Sequence, residues 1–276
     1  MLRNHSVILL VLAAVQGCPA LHGANYASAV VDYQAGTLPT SVSSYTNSGA
    51  ALGEPSRVTP GQFGGPVDPF NPAYLNSQLV SVGANGSLTV QFSHPVQNNP
   101  ANPYGLDFAV FSSSGFVISN GDYTGGGITD GSLFGNLNGP FRISVSADGQ
   151  TYYALDPAKT PSIDGLFPTD GQGDFSEAVI PGLKGSDFAG LDLPGIRAKY
   201  AGAGGGAGFD LGWAIDARGN PVQLDAIQYV RLEVLGGHAE IDGFSGLSAI
   251  PEPGSLVLFG LGLSVLVWQF RIKKAA

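Results

Sequence analysis

The sequence predicts an all-β fold, an antiparallel β-sandwich, and three observations predict it. The chain of 276 residues carries 41 Gly and 19 Pro, a density of helix breakers that suits short strands joined by turns and disfavours a helical bundle. Short apolar runs recur through its middle, bounded by Gly, Pro, Asn and Asp, and their number suits two packed antiparallel sheets. Hydrophobic residues make up 43% and aromatic residues 10%, enough apolar surface to offset the entropy of ordering a core.

The elements follow in chain order. Arg3 precedes the apolar stretch Val7 to Val15, too short to span a bilayer and flanked as a secretory signal peptide is. Residues 1–24 are therefore expected to be a leader that is removed. Cys18 is the one cysteine. It leaves with the leader or, read through Val15-Gln16-Gly17-Cys18, becomes a lipidated N-terminus; in the first case no disulfide or thiolate metal site remains. Residues 25–249 form the expected β body. Strands are read at Ala27 to Tyr33, at Ser87 to Phe92 with Leu88, Val90 and Phe92 on one face, and at Leu106 to Phe111. The series continues with Phe141 to Ser146, Thr151 to Ala154, Phe209 to Ile215 and Ala226 to Val234. Asp148-Gly149 fits a tight hairpin, because glycine tolerates the positive φ that such a turn needs. Gly53 to Ser77 and Asp156 to Tyr200 read as long loops, the second with one short helix at Leu191 to Tyr200. Loops of this length are the first places to look for a ligand surface.

The tail, residues 250–276, has its own pattern. Pro251-Glu252-Pro253 leads into an apolar segment at 255–270, expected to be a transmembrane helix, and then into Arg271, Lys273 and Lys274. At about 1.5 Å per residue the stretch from Gly254 to Ile272 covers about 28 Å, close to the hydrocarbon core of about 30 Å. The basic cluster should stay in the cytoplasm, which places the preceding body outside. The two prolines fix φ and deny hydrogen bonding, so the Pro-Glu-Pro peptide is expected to be extended and accessible just outside the bilayer.

Charge narrows the partners. Twelve Lys and Arg stand against 21 Asp and Glu, giving a net charge of −9 and a pI near 4.7. No basic cluster interrupts the body, so no nucleic-acid partner is expected.

Three resemblances add to this reading. The order Pro-Glu-Pro, short apolar helix and basic terminus resembles the PEP-CTERM sorting signal of Gram-negative bacteria. That resemblance implies an exosortase as processing partner, with Pro251, Glu252 and Pro253 as the recognised residues, an inner-membrane-anchored precursor, and delivery to the cell surface or extracellular matrix in bacteria that make exopolysaccharide. The hairpin from Ser146 through Asp148-Gly149 to Tyr152 resembles that of discoidin-like, galactose-binding jelly rolls. Segments including Gly105 to Phe111, Gly190 to Arg197, Tyr200 to Leu211 and Ala239 to Phe244 are similar to the ectodomain of a family of PEP-CTERM surface proteins. Neither of these body resemblances implies a reaction.

Candidate sites are few. Asp32 ends the first predicted strand, while Glu240 and Asp242 alternate on the last; if those strands pair, the three carboxylates could converge on a structural Ca²⁺. Asp164, Asp170 and Asp174 offer a looser cluster. The Gly-rich run from Gly202 to Gly208 precedes a strand and not a helix, so it reads as a turn and not a phosphate cradle. His94 and His238 could each enter a Ser-His-Asp arrangement, but no nucleophile motif accompanies them, and no catalytic residue is assigned. Trp213, Tyr104, Tyr123, Tyr152 and Tyr153 are candidates for stacking on sugar rings or for core packing. The expected function is an exported structural or adhesive element with weak polysaccharide affinity. The alternative is a secreted glycan hydrolase carrying the same tail, which requires a cleft with two carboxylates.

Overall fold

A computed structural model describes residues 25–42, 44–135, 140–161 and 167–248. The expected leader at 1–24 and the sorting tail at 250–276, with its helix at 255–270, lie outside the described residues. No helix among the described residues is long and apolar enough to cross a membrane.

The body is mostly β. Its strands are β1 (Asn25–Gln34), β2 (Val58–Thr59), β3 (Gly65–Pro66), β4 (Val80–Gly83), β5 (Gly86–Gln97), β6 (Phe108–Ser112) and β7 (Gly115–Ile118). They continue as β8 (Thr129–Phe134), β9 (Phe141–Ser146), β10 (Tyr153–Leu155), β11 (Ala207–Phe209), β12 (Ala214–Ile215), β13 (Ala226–Val234) and β14 (His238–Gly246), with one α-helix, α1 (Leu193–Tyr200). Ten strands join in the order β11-β6-β14-β1-β5-β13-β9-β10-β12, with β4 also paired to β14, and all pairs of named strands are antiparallel.

The sheet curls on itself at β1. Asn25 and Tyr26 pair with Gly246 and Ser245 of β14, after which β1 turns away to run beside β5 from Ala27↔Phe92 to Gln34↔Ser87. Two register shifts in β1, at Ala27/Ala29 and Val30/Asp32, supply the extra twist that such a turn needs. The two halves face each other across one core, where Val82, Phe108, Phe209 and Phe244 from one side meet Leu88, Val90, Ile143 and Leu232 from the other. The Phe108 and Phe209 rings stack at 5.2 Å.

Alternation in the sequence explains which side chains enter that core. In β9, Ile143 and Val145 point inward at a spacing of two. In β13 the buried residues are Ile227, Val230, Leu232 and Val234, and the three-residue step from Ile227 is accommodated by a register shift between Ile227 and Tyr229. The last strand behaves alike: Ala239, Ile241 and Phe244 are buried, and the shift falls between Ile241 and Gly243. A bulge is how a strand keeps apolar residues inward across an odd step.

The expected strand Phe209 to Ile215 is in fact two strands on opposite sides of the core. β11 pairs with β6 and β12 with β10, joined by a short 3₁₀ turn at Leu211–Trp213. Asp107, fully buried, holds this crossing by accepting hydrogen bonds from the amides of Asn99 and Leu211 and from Asn102 Nδ2. A carboxylate satisfied by three donors can occupy an interior where an unpaired one could not.

The segment Asp156 to Tyr200, expected as a loop with a ligand surface, forms a covering layer over β6 and the β7–β8 hairpin. Phe175 meets Phe111 edge-on at 5.1 Å, while Phe188, Ile196 and Tyr200 pack with Phe116. Helix α1 begins where Asp192 caps Gly195 N at 2.9 Å, with Pro194 in its first turn. Arg197 of this helix makes a two-pronged contact with buried Asp170, at 2.7 and 2.9 Å, and Arg57 donates to the carbonyls of Gly171 and Gly173. The Arg197–Asp170 pair thus braces the layer internally, and Arg57 ties it to the loop preceding β2.

Candidate functional site

A pocket of about 320 Å³ opens where the chain packs over β4, β6 and β14, lined among others by Ser41, Val42, Tyr45, Phe70, Pro72, Tyr74, Ser113, Phe134 and Glu240. Its floor is set by the sheet. Ser113 N, just past β6, donates to the Glu240 carbonyl, and Ser81 N of β4 donates to the Tyr45 carbonyl. The walls are loop residues locked by their own polar ends: Tyr45 Oη donates to Tyr74 O at 2.9 Å, Tyr74 Oη to Phe63 O at 2.9 Å, and Ser113 Oγ to Ala73 O at 2.6 Å. Asp68 caps the amides of Phe70 and Asn71. Phe134 reaches its position because its cross-strand partner is Gly115, where an added Cβ would stand 2.5 Å from the Phe134 ring and 3.1 Å from Pro72 Cδ.

The pocket's one carboxylate is Glu240, with a side chain 13% exposed. Among the described residues nothing donates a hydrogen bond to it; His238 Nε2, on the same strand, lies 3.6 Å away. Burial pushes its carboxyl up to about 7, because water that would stabilise the charge is excluded and no donor replaces it. Directly across the ladder is Ser81, whose buried hydroxyl also has no partner. Exposed aromatics extend the site outward: Tyr74 and Phe134 on the rim, and Phe63, 87% exposed, at the turn between β2 and β3.

The three carboxylates expected to share a Ca²⁺ are not gathered. β1 and β14 do pair, but only at their first and last residues, so Asp32 lies exposed opposite Thr89 of β5. The bulge at Asp242 breaks its alternation with Glu240. Asp242 is buried instead against Ser56, accepting from its amide at 2.9 Å and from its hydroxyl at 2.7 Å. Burial raises the Asp242 carboxyl to about 7, with the two Ser56 donors opposing that rise. Among the described residues no group of three or more His, Cys, Asp or Glu is placed to hold a metal ion, and this donor set does not fit Ca²⁺, which needs six or more oxygens around one point. In the looser cluster, Asp164 lies outside the described residues, Asp170 is held by Arg197, and Asp174 caps Ser176.

Other sequence candidates take structural places. His94 Nδ1 is 3.2 Å from Ser93 Oγ, which donates to Asn25, not to a carboxylate. Tyr152 lies under the Arg231 guanidinium, 4.0 Å from its ring centroid, and Trp213 and Tyr153 pack against the core. Tyr123 is 77% exposed. Asp148 accepts from the amides of Gln150 and Thr151 and Gly149 has a φ of 73°, as a tight hairpin requires. The Gly-rich run is packed tightly: Cβ atoms at Gly205 and Gly206 would strike the Pro168 carbonyl and the Phe111 ring.

The described body is antiparallel and mostly β, and its aromatic-lined pocket holds one largely buried acid, Glu240. Residues 249–274 match the PEP-CTERM protein-sorting motif. They include Pro251, Glu252, Pro253, Arg271, Lys273 and Lys274, and the match supports an exported protein sorted by an exosortase. A search of curated proteins returned no match.

Proposed function

We propose that the chain is an exosortase substrate whose β body serves a structural or adhesive role at the cell surface or in the extracellular matrix, with the Glu240 pocket as its point of contact with polysaccharide. The observation that carries the reading is the sorting motif at 249–274, placed immediately after a body that ends at β14. In this reading the leader at 1–24 is cleaved, the helix at 255–270 holds the precursor in the inner membrane, the basic residues Arg271, Lys273 and Lys274 fix its orientation, and Pro251-Glu252-Pro253 is what the processing enzyme recognises. The body is then a jelly roll of the discoidin-like kind.

Replacing Pro251, Glu252 and Pro253 together by alanine tests the route. The expected result is a full-length precursor accumulating in the inner-membrane fraction, while the native chain gives a shorter surface form. Equal processing of both would refute it. The hydrolase alternative requires two carboxylates facing one cleft, and the pocket presents one.

A further inference from the structure

We infer that the pocket binds an alkylammonium group, with Glu240 as its counter-ion and Tyr45, Tyr74, Phe70 and Phe134 as its aromatic surround. This inference rests on reading the pocket as the ligand-contact site and names the chemistry of what enters it. Glu240 lines the cavity, is almost withdrawn from water and receives no hydrogen bond from the described residues. A buried carboxylate without donors is costly unless a cation joins it. Its strand neighbour His238 does not line the pocket; at 3.6 Å its ring nitrogen makes no hydrogen bond to Glu240 and offers an ion pair only when protonated. Across the ladder, the unpartnered Ser81 hydroxyl marks the same spot as short of polar contacts.

The remaining lining selects among cations. An inorganic divalent ion needs several oxygen ligands, and one carboxylate amid aromatic side chains does not provide them. An ammonium carried on carbon is suited to such a place, because aromatic rings attract it electrostatically while its alkyl groups take the apolar contacts. Sugar hydroxyls can donate hydrogen bonds to Glu240 but bring no opposite charge, whereas an ammonium supplies both a donor or close contact and the charge. The volume of about 320 Å³ is at the small end of ligand sites and suits one headgroup or one ring. The net charge of −9 favours approach of a cation over an anion. Two sources carry the required group: a quaternary ammonium of the choline type, and the free amine of an amino sugar within a polysaccharide.

Titration calorimetry on the full-length protein in mild detergent, with choline, glucosamine, N-acetylglucosamine and glucose as probes, tests the inference. Choline, glucosamine or both should bind, whichever does so identifying the source, while the two neutral sugars bind at least about tenfold more weakly. Glu240→Gln should lose about tenfold or more in affinity for the bound cation, and Phe134→Leu, an exposed change that keeps an apolar side chain, about threefold. Both variants should melt no lower than the native protein by more than a few degrees. Equal binding of glucose or N-acetylglucosamine overturns the ammonium assignment and leaves the contact site standing. Binding of none of the four overturns both. Cation binding unchanged by Glu240→Gln overturns the role of Glu240.

Discussion

Substituting Asp242 by Asn should make the protein less sensitive to rising pH, by an amount set by one buried proton. The native carboxyl is held at about 7 by burial, against about 3.9 in an unfolded chain. A difference of about three pH units corresponds to about 4 kcal/mol. Because the folded state keeps this proton longer than the unfolded one, the contribution to stability is complete below pH about 4. It declines as pH rises and is gone once pH passes about 7. Asn cannot ionise, yet its carbonyl oxygen still accepts from the Ser56 amide that now bonds Asp242. Urea unfolding followed by fluorescence at half-unit steps from pH 4 to 8 therefore should show the stability difference, Asn variant minus native, growing by about 4 kcal/mol across the series. Glu240, also raised to about 7 by burial, shifts both proteins in the same direction and cancels in the difference. Two curves that stay parallel to within about 1 kcal/mol would show that the ionised form is tolerated beside Ser56, and the reasoning from burial would fail.

Arg197→Ala should leave Asp170, 2% exposed, without its two-pronged partner, lowering stability by about 3–5 kcal/mol; a melting experiment checks this, and limited proteolysis should cut first within residues 167–200. Gly115→Ala should drive the Phe134 ring from its seat, costing about 1–3 kcal/mol and opening the pocket wall, read as faster quenching of pocket tyrosines. Arg231→Leu should remove both the contact with the Tyr152 ring and the bond to Thr89 Oγ1, a loss of about 1–2 kcal/mol by urea unfolding.

Much of the β body was legible because strand periodicity is local. Phe141 to Ser146 and Ala226 to Val234 coincide with β9 and β13, and the Asp148-Gly149 turn carries its own chemistry. The segment Phe209 to Ile215 misled because a continuous apolar run does not reveal a change of sheet; that crossing depends on Asp107, about a hundred residues earlier. The short strands β7 and β8 escaped notice since Gly115 is intelligible as a strand residue only with Phe134 lying over it. Of the candidate site, Glu240 was singled out for a different partner, and the Gly53 to Ser77 loop, which supplies Phe70, Asn71, Pro72 and Tyr74, was named only as a place to look for a ligand surface. The pairing of Glu240 with Asp242 followed from strict alternation, which the bulge between Ile241 and Gly243 defeats. Tyr45, Tyr74 and Phe134 come from three separate segments with no shared spacing, so nothing in the sequence placed them together.

The junction where β1 meets β14 bears on how the body would carry load. Ser248 lies two residues past a strand that is hydrogen-bonded along both margins, to β6 on one side and to β4 and the start of β1 on the other. Tension arriving through a C-terminal tether would thus run along β14 and be shared at once by three neighbours, which must slide past it together before any of them separates. Asn25, at the start of β1, emerges beside Gly246, so a pull applied between Asn25 and Ser248 would load first the two-residue seam between β1 and β14.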